Sequence, residues 1–168
     1  MDLSELFERK IVLKRNEFLF QKGKLETAIY FIASGSIRIF MLDSDEEQII
    51  RFGYTNDLIV ALDSFLTEKP TDYSVQAIKQ TEVFVIPKSK FTDYLNRGLE
   101  SKQKWNEILE NLVLQQLERE KDILIQSPKE RYQRVLKRSP RLFQEIPSKH
   151  IANYLRMSPE TLSRLKKS

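Results

Sequence analysis

Hydrophobic residues in the first ninety positions recur with the period-two spacing of β-strands. In residues 28–41, two β-rich runs flank a Ser-Gly-Ser sequence at 34–36, and apolar side chains alternate along the second run. This pattern predicts a β-hairpin that turns at Gly35. Residues 48–52, 73–78 and 81–86 are further short strand candidates. Several short strands in succession predict a β-sandwich or a barrel.

From Lys88 onwards the hydrophobic period changes to that of helices, beginning with a short helix around residues 91–95. Residues 101–126 contain no glycine or proline and predict one long helix. Its apolar side chains form two stripes, Trp105, Ile108 and Leu112 in one and Leu109, Val113, Leu117 and Leu124 in the other. One stripe could cover the β-domain while the other contacts a partner helix, or all could form one wide stripe within a single subunit. We favour the first interpretation, and hence a homodimer, because the helix is longer than such a β-domain requires.

Serine–proline pairs mark the starts of two helices in the last third of the chain, at 127–128 and 158–159. Between them, Ser148 is predicted to cap a helix over residues 149–155, which ends in a tight turn at 156–157. The side chains predicted to be buried in the last two helices are Ile151, Ala152, Leu155, Leu162 and Leu165. Two short helices joined by a tight turn, with a polar face exposed on the second, indicate a helix-turn-helix.

The polar face of the last helix carries side chains suited to a DNA major groove. Arg164 can donate two hydrogen bonds to guanine, and Glu160 can accept one from the cytosine amino group. Ser158, at the positive end of the helix, can hold a phosphate together with backbone N–H groups. The predicted base contacts are Glu160, Thr161 and Arg164, and the predicted phosphate contacts are Ser148, Lys149, Ser158, Ser163, Lys166 and Lys167. The alternative is an ordinary surface helix on which Glu160 and Arg164 pair with each other.

The charge distribution favours a polyanionic partner for the same end of the chain. Residues 127–168 contain eleven Lys/Arg and three Asp/Glu, whereas residues 1–126 carry an excess of acidic side chains. A solvated basic surface would give the same count. The chain has no cysteine and a single histidine, His150. This composition excludes disulfides, thiolate zinc sites, iron–sulfur clusters, cysteine nucleophiles and multi-histidine metal sites.

Further exclusions follow from what the chain lacks. No apolar run approaches the length of a membrane span, and the first ten residues do not have the pattern of a signal peptide. We therefore expect a cytoplasmic protein without a membrane partner. No nucleophile–base pair, metal-ligand cluster or phosphate-binding loop stands out, so an enzyme is not expected.

The order of β-domain, long helix and small helical domain resembles the cyclic-AMP receptor protein/FNR (Crp/Fnr) superfamily of bacterial transcription regulators. The most specific part is residues 151–165, where Ser158, Glu160, Thr161 and Arg164 match the family's Ser-x-Glu-Thr-x-x-Arg recognition helix. The resemblance implies that Glu160 and Arg164 contact bases. It also implies a homodimer that reads a palindromic site in double-stranded DNA, with RNA polymerase as a further candidate partner.

The resemblance also implies an α+β fold in three parts. These are a jelly-roll-like β-roll of the cyclic-nucleotide-binding type over residues 1–100, a dimerisation helix over 101–126 and a helix-turn-helix domain over 127–168. The printed sequence ends about one turn after Arg164, so we expect no β-hairpin wing behind the recognition helix. Phosphate anchoring is then expected from Ser148, Lys149 and the basic helix before the motif. Arg156 replaces the turn glycine common in such motifs, so the turn is expected to differ slightly.

The predicted effector pocket departs from the family pattern. The family's nucleotide-binding members carry a Gly-Glu pair, whose glutamate accepts from the ribose, and an arginine that pairs with the cyclic phosphate. Val60 and Ala61 stand at the Gly-Glu positions, and Thr71 stands at the arginine position. Losing charge-assisted partners for a desolvated phosphate costs roughly several kcal/mol, so cyclic AMP binding by the usual contacts is predicted to be lost. The degenerate pocket is predicted to comprise Val60, Ala61, Thr71, Asp72, Tyr73 and Ser74.

Two other sensing mechanisms of the family do not fit this sequence. Without cysteine, the iron–sulfur cluster of the FNR type cannot form. His150, near the start of the first helix of the motif, is badly placed to bind haem. We therefore expect no cofactor and leave the effector unassigned. The alternative to a transcription regulator is a β-roll that binds a small molecule or a protein, with a weak or vestigial DNA-binding end.

Overall fold

A computed structural model describes residues 3–167 and divides the chain into two units between Lys104 and Trp105. The first unit contains the strands β1 (Arg9–Leu13), β2 (Phe18–Phe20), β3 (Ile29–Ser34), β4 (Ser36–Asp43), β5 (Glu46–Tyr54), β6 (Leu58–Val60), β7 (Ser74–Ala77) and β8 (Thr81–Ile86). The helices are α1 (Leu62–Thr67), α2 (Lys88–Leu95), α3 (Leu99–Leu124), α4 (Pro128–Arg138), α5 (Pro140–Glu145), α6 (Ser148–Tyr154) and α7 (Pro159–Lys167). A short 3₁₀ helix, Ser4–Leu6, precedes β1. Within residues 3–167, no helix is both long and apolar enough to cross a membrane.

The strands form two four-stranded antiparallel sheets, ordered β1-β8-β3-β6 and β2-β7-β4-β5. Alternate side chains of both sheets meet in one apolar core, as expected of strands buried on one face. The buried members of this core are Phe20, Tyr30, Ile32, Ile37, Ile59, Ala61, Val75, Val83 and Val85. The predicted α+β fold with an N-terminal β-roll is confirmed.

The hairpin predicted at Gly35 is wrong. β3 pairs with β6 and β8, whereas β4 pairs with β5 and β7, so the chain crosses between the sheets at this glycine. Gly35 has φ 103°, and a Cβ there would lie 2.4 Å from Thr81 Oγ1 and 2.6 Å from the Gln80 carbonyl oxygen. Thr81 Oγ1 also accepts from the Ser36 N–H at 3.2 Å, which satisfies the backbone where the chain changes sheet. Strand alternation fixes which face is buried, but it does not fix the partner strand.

The hairpin in this region instead joins β4 to β5. Asp43 pairs with Glu46, and the two residues between them, Ser44 and Asp45, have φ of 48° and 68°. Positive φ at both central residues is the signature of a type I′ turn, whose twist matches that of the flanking strands. The turn lacks the glycine that usually marks such a hairpin in a sequence.

The long helix α3 begins at Leu99 and ends at Leu124, so each end lies two residues earlier than in the predicted helix over 101–126. It crosses the division between the units. Of its predicted dimer-helix residues, the half-buried ones are Trp105, Ile108, Leu109 and Leu112. Val113 and Leu117 are 57% and 47% exposed, and their neighbour Leu114 is 59% exposed. The middle of α3 therefore presents apolar side chains to solvent.

The regular elements of the second unit, within residues 105–167, are all helices, and they surround a small core. Val135, Ile151, Leu155 and Leu162 are fully buried within it. The predicted start of α4 is confirmed, because Ser127 Oγ accepts from the Glu130 N–H at 3.3 Å with proline in the first turn. The burial predicted for α6 is also confirmed.

Candidate nucleic-acid interface

The last helix, α7, is fixed at both its start and its inner face. Ser158 Oγ accepts from the Thr161 N–H at 3.2 Å, which confirms the predicted cap. Leu162 is fully buried, whereas Leu165 is only half-buried. The exposed positions of the helix are Glu160, Ser163, Arg164, Lys166 and Lys167, and Thr161 is half-buried at the edge of this face. A buried anchor and a satisfied cap hold a polar face outward.

Within the described residues 3–167, no hydrogen bond or salt bridge joins the side chains of Glu160 and Arg164. Arg164 Nη2 instead lies 3.4 Å from Thr161 Oγ1, a long hydrogen bond. Hydrogen bonds from its own backbone N–H and from the Ser158 side chain, with a smaller contribution from the charge of Arg164, hold the pKa of Glu160 below its ordinary value. Glu160 is therefore a carboxylate at neutral pH and can accept hydrogen bonds, while Arg164 can donate them.

Basic side chains of α6 and α7 lie side by side. Lys166 Nζ donates to Ser148 Oγ at 2.7 Å, which brings together two predicted phosphate contacts. Lys149 is exposed beside them, and His150 is half-buried. The prediction that Ser148 caps α6 is wrong: Pro147 stands at the capping position and no side chain caps the helix. Because α6 begins one residue earlier than predicted, the Ser148 hydroxyl bonds to α7 instead of its own helix.

The turn between α6 and α7 closes with two backbone hydrogen bonds. The Met157 N–H donates to the Ala152 carbonyl at 3.1 Å, and the Arg156 N–H donates to the Asn153 carbonyl at 3.0 Å. This is a Schellman motif, which needs a left-handed residue after the helix. Arg156 supplies it with φ 54°, at a cost of about 1–2 kcal/mol for a non-glycine residue. Replacing the glycine has therefore not changed the handedness of the turn.

Two buried arginines hold the carbonyl groups of this turn. Arg119 of α3 is 5% exposed, and its Nη2 donates to the Tyr154 carbonyl at 2.6 Å. Its guanidinium carbon lies 3.7 Å from the centroid of the Tyr154 ring, within cation–π distance. Arg131 of α4 is 6% exposed and donates to the Ile125 carbonyl at 2.6 Å and to the Arg156 carbonyl at 3.1 Å.

These arginines were missed by sequence reasoning, since nothing in their spacing distinguishes them from surface arginines. Helix ends leave carbonyl groups without intrahelical partners, and such groups are costly when they are buried. Burial lowers the pKa of Arg119 below its ordinary value, yet a guanidinium remains charged at any physiological pH. The end of α6 is thus held by charged donors from earlier helices.

An ion-pair network joins α3 to α4. The carboxylate of Asp122, which is fully buried, accepts from Arg134 Nε at 2.9 Å and from Arg138 Nη2 at 2.5 Å. Glu118 also pairs with Arg134 and accepts from Lys121 at 2.8 Å. The sequence carried a signal for this network: two acids four residues apart on α3 match two arginines four residues apart on α4.

None of the six residues predicted to form the effector pocket is a glutamate or an arginine. Thr71 is 1% exposed, and its Oγ1 lies 3.0 Å from both carboxylate oxygens of Asp63 in α1. The Asp72 N–H also donates to Asp63 at 3.0 Å. The Asp63 carboxylate therefore accepts hydrogen bonds from the Thr71 hydroxyl and the Asp72 N–H of this loop.

The remaining pocket positions take part in the packing of the roll. Ser74 is buried and accepts from the Lys22 N–H at 3.0 Å, and the Tyr73 N–H donates to Thr71 Oγ1 at 3.2 Å. Val60 is half-buried at the end of β6, and Ala61 is 3% exposed before α1.

The fold and the site together define a class of protein, in which a β-roll is followed by a long helix and a helix-turn-helix. The family model of the cyclic nucleotide-binding domain matches residues 10–97. The chain therefore belongs to the cyclic nucleotide-binding domain family.

Curated transcription regulators are similar to about half of the chain. The chain is 40% identical over 86 residues to the transcriptional activator protein Anr of Pseudomonas protegens, which covers 51% of this chain and 34% of Anr. The aligned stretch thus spans about a third of the length of Anr and of two further curated relatives that it matches.

Solved structures match almost the whole chain at low sequence identity. FixK2 from Bradyrhizobium japonicum has a TM-score of 0.79 at 18% identity over 95% of this chain and 82% of its own. A CooA mutant from Carboxydothermus hydrogenoformans has a TM-score of 0.78 at 14% identity over 99% of this chain and 78% of its own. At these identities the likeness shows a shared fold alone.

Proposed function

We propose that this chain is a homodimeric regulator of transcription that binds palindromic DNA sequence-specifically, with Glu160 and Arg164 reading bases. The observation that carries the proposal is the exposed polar face of α7, on which no salt bridge within residues 3–167 joins these two side chains. The buried Leu162 and the Ser158 cap fix the orientation of that face. Thr161 completes the base-reading set, and the basic side chains beside it hold phosphates.

Phosphate binding is assigned to exposed hydroxyl and ammonium groups around the two helices. These are Ser148, Lys149, Ser158, Ser163, Lys166 and Lys167. The hydrogen bond between Lys166 and Ser148 makes α6 and α7 present one cationic surface. Such contacts position the protein on DNA without carrying sequence information.

Dimerisation through α3 is supported by the exposed Val113, Leu114 and Leu117. Contiguous exposed apolar side chains on a helix favour a partner helix. A two-fold dimer would present its two recognition helices to successive major grooves about 34 Å apart. A palindromic site is the DNA counterpart of that symmetry.

The β-roll is proposed not to respond to cyclic AMP through the usual contacts. Val60 and Ala61 offer no carboxylate to a ribose, and Thr71 offers no cation to a phosphate. The carboxylate of Asp63, 3.0 Å from Thr71 Oγ1 and from the Asp72 nitrogen, would also repel an incoming phosphate. Micromolar binding of cyclic AMP or cyclic GMP in titration calorimetry would refute this part of the proposal.

The DNA-binding proposal is tested by selecting duplexes from a randomised library with the purified chain at fixed salt. Arg164→Ala should weaken binding to the selected duplex by about 1–3 kcal/mol and relax the preference at one base pair of each half-site. Lys14→Ala, an exposed cation of the β-roll with the same charge change, is the matched control and should have no effect on base preference. Unchanged affinity and preference in Arg164→Ala would show that the assigned reading face is wrong.

The oligomeric state is tested separately by sedimentation. Leu117→Glu should shift the chain from dimer to monomer, because it places a charge among apolar side chains that the proposed interface buries. Gln116→Glu introduces the same charge at the adjacent exposed position and should leave a dimer. A dimer in both variants would remove α3 as the interface.

A further inference from the structure

Arg119 and Arg131 have no part in the proposed reading face, yet they are among the few buried charged side chains of the second unit. Charged side chains are seldom buried unless a specific polar partner holds them. Each arginine donates to backbone carbonyl groups, and two of these acceptors belong to Tyr154, at the end of α6, and Arg156, in the α6–α7 turn. Two earlier helices thus bond to one short segment.

The two contacts lie on either side of the end of α6. Arg119 holds the carbonyl of Tyr154, the last residue of α6, and its guanidinium also lies against the Tyr154 ring. Arg131 holds the carbonyl of Arg156, the left-handed residue of the turn. Only two residues, Met157 and Ser158, lie between Arg156 and Pro159, where α7 begins, so the direction of α7 depends on this segment.

Arg131 additionally ties the turn to the end of α3. Its second terminal nitrogen donates to the Ile125 carbonyl at 2.6 Å, directly after the last residue of α3. A planar guanidinium fixes both acceptors in one geometry, which a lysine ammonium does not do. The turn is therefore connected to α3 twice, through Arg119 directly and through Arg131.

We infer that Arg119 and Arg131 are positioning residues that order the α6–α7 turn and make site-specific DNA reading depend on the C-terminal half of α3. The part that concerns DNA rests on the proposed function, whereas the ordering of the turn does not. Both arginines are buried, so they act on DNA through the backbone of the turn and not through phosphates.

The ordering of the turn is tested first, without DNA, by amide hydrogen exchange on the full chain. Arg119→Met should raise exchange about tenfold in residues 154–157, because the carbonyl anchor and the ring contact are both lost. Lys121→Met, two residues away with the same charge loss but an exposed side chain, should not do so. Unchanged exchange at the turn in Arg119→Met, or an equal rise over the whole chain, would overturn the inference.

DNA binding then separates positioning from general stability. Arg119→Met and Arg131→Met should lower the affinity for the selected duplex about tenfold relative to a scrambled duplex. Affinity for the scrambled duplex and its salt dependence should match those of Lys121→Met, since no phosphate contact is removed. Equal loss on both duplexes would indicate a smaller folded fraction and would overturn the positioning role.

Conservative variants keep the test decisive if a methionine variant fails to fold. Arg119→Lys and Arg131→Lys retain the charge and one donor but lose the planar fork, so intermediate exchange and intermediate preference are expected. Wild-type behaviour of both lysine variants would overturn the inference. If the wild-type chain selects no duplex at all, the proposed function fails, and the exchange result alone decides whether the arginines order the turn.

Discussion

The buried carboxylate of Asp122 gives the sharpest prediction for stability. Asp122→Asn removes the negative charge that Arg134 and Arg138 share, while keeping the shape of the side chain and one carbonyl acceptor. Hydrogen bonds to charged groups contribute about 1.5–3 kcal/mol each, and Asp122 accepts two. The arginine side chains are 35% and 29% exposed, so water recovers part of the loss. We expect the free energy of unfolding to fall by about 2 kcal/mol.

Urea unfolding followed by the fluorescence of Trp105, the only tryptophan and the first residue of the second unit, measures this change. Glu120→Gln makes the same carboxylate-to-amide change on an exposed position of α3 and should stay within about 0.5 kcal/mol of wild type. A decrease of less than about 0.5 kcal/mol in the free energy of unfolding of Asp122→Asn would refute the reasoning. It would mean that the ion pairs of Asp122 stabilise the fold by no more than the desolvation of their charges costs.

Three further outcomes follow from the backbone and the charges. Gly35→Ala should destabilise the roll by about 2–4 kcal/mol in thermal unfolding, because strain and a clash add, whereas Gly23→Ala, at φ 86° with open space around it, should cost only the strain. Arg156→Gly should stabilise the chain by about 1 kcal/mol in urea unfolding by relieving the left-handed residue. Lys121 donates to Glu118 and, with the neighbouring arginines, holds the pKa of Glu118 below its ordinary 4.5. The ionised Glu118 therefore contributes its full stabilisation above pH 4.5 and loses it as the pH falls through the lowered pKa of the folded state. Glu118→Gln should accordingly flatten the acid limb of a pH–stability curve.

Sequence reasoning recovered the helices of the second unit because their signals are local. Ser127 and Ser158 cap the helices they were predicted to cap, and the buried positions of α6 follow from a single helical period. The prediction that Ser148 caps α6 was wrong because the helix begins one residue earlier, with Pro147 at the capping position. The ends of helices are only weakly defined by sequence.

The β-roll was recovered as a class but not in its connections. Alternation correctly marked strands around Gly35, yet the partner of each strand depends on contacts far along the chain, such as the bond between Ser36 and Thr81. In the candidate nucleic-acid interface, too, sequence predicts some residues and misses others. The exposed residues Glu160 and Arg164 could be named from their spacing, whereas Arg119 and Arg131 could not, because their acceptors are backbone carbonyls, which carry no sequence signal.

The contacts of Asp63 and of the two buried arginines lead to one expectation about control. Asp63 already satisfies the donors of the loop around Thr71, so that loop needs no bound anion to hold its conformation. The α6–α7 turn is held by Arg119 from the half of α3 that also exposes Val113 and Leu117. Under the proposed function, whatever orders or pairs this half of α3 also acts on the turn that positions α7. We therefore expect DNA binding to respond to the state of α3, and hence to the concentration of the chain, more than to a nucleotide in the roll.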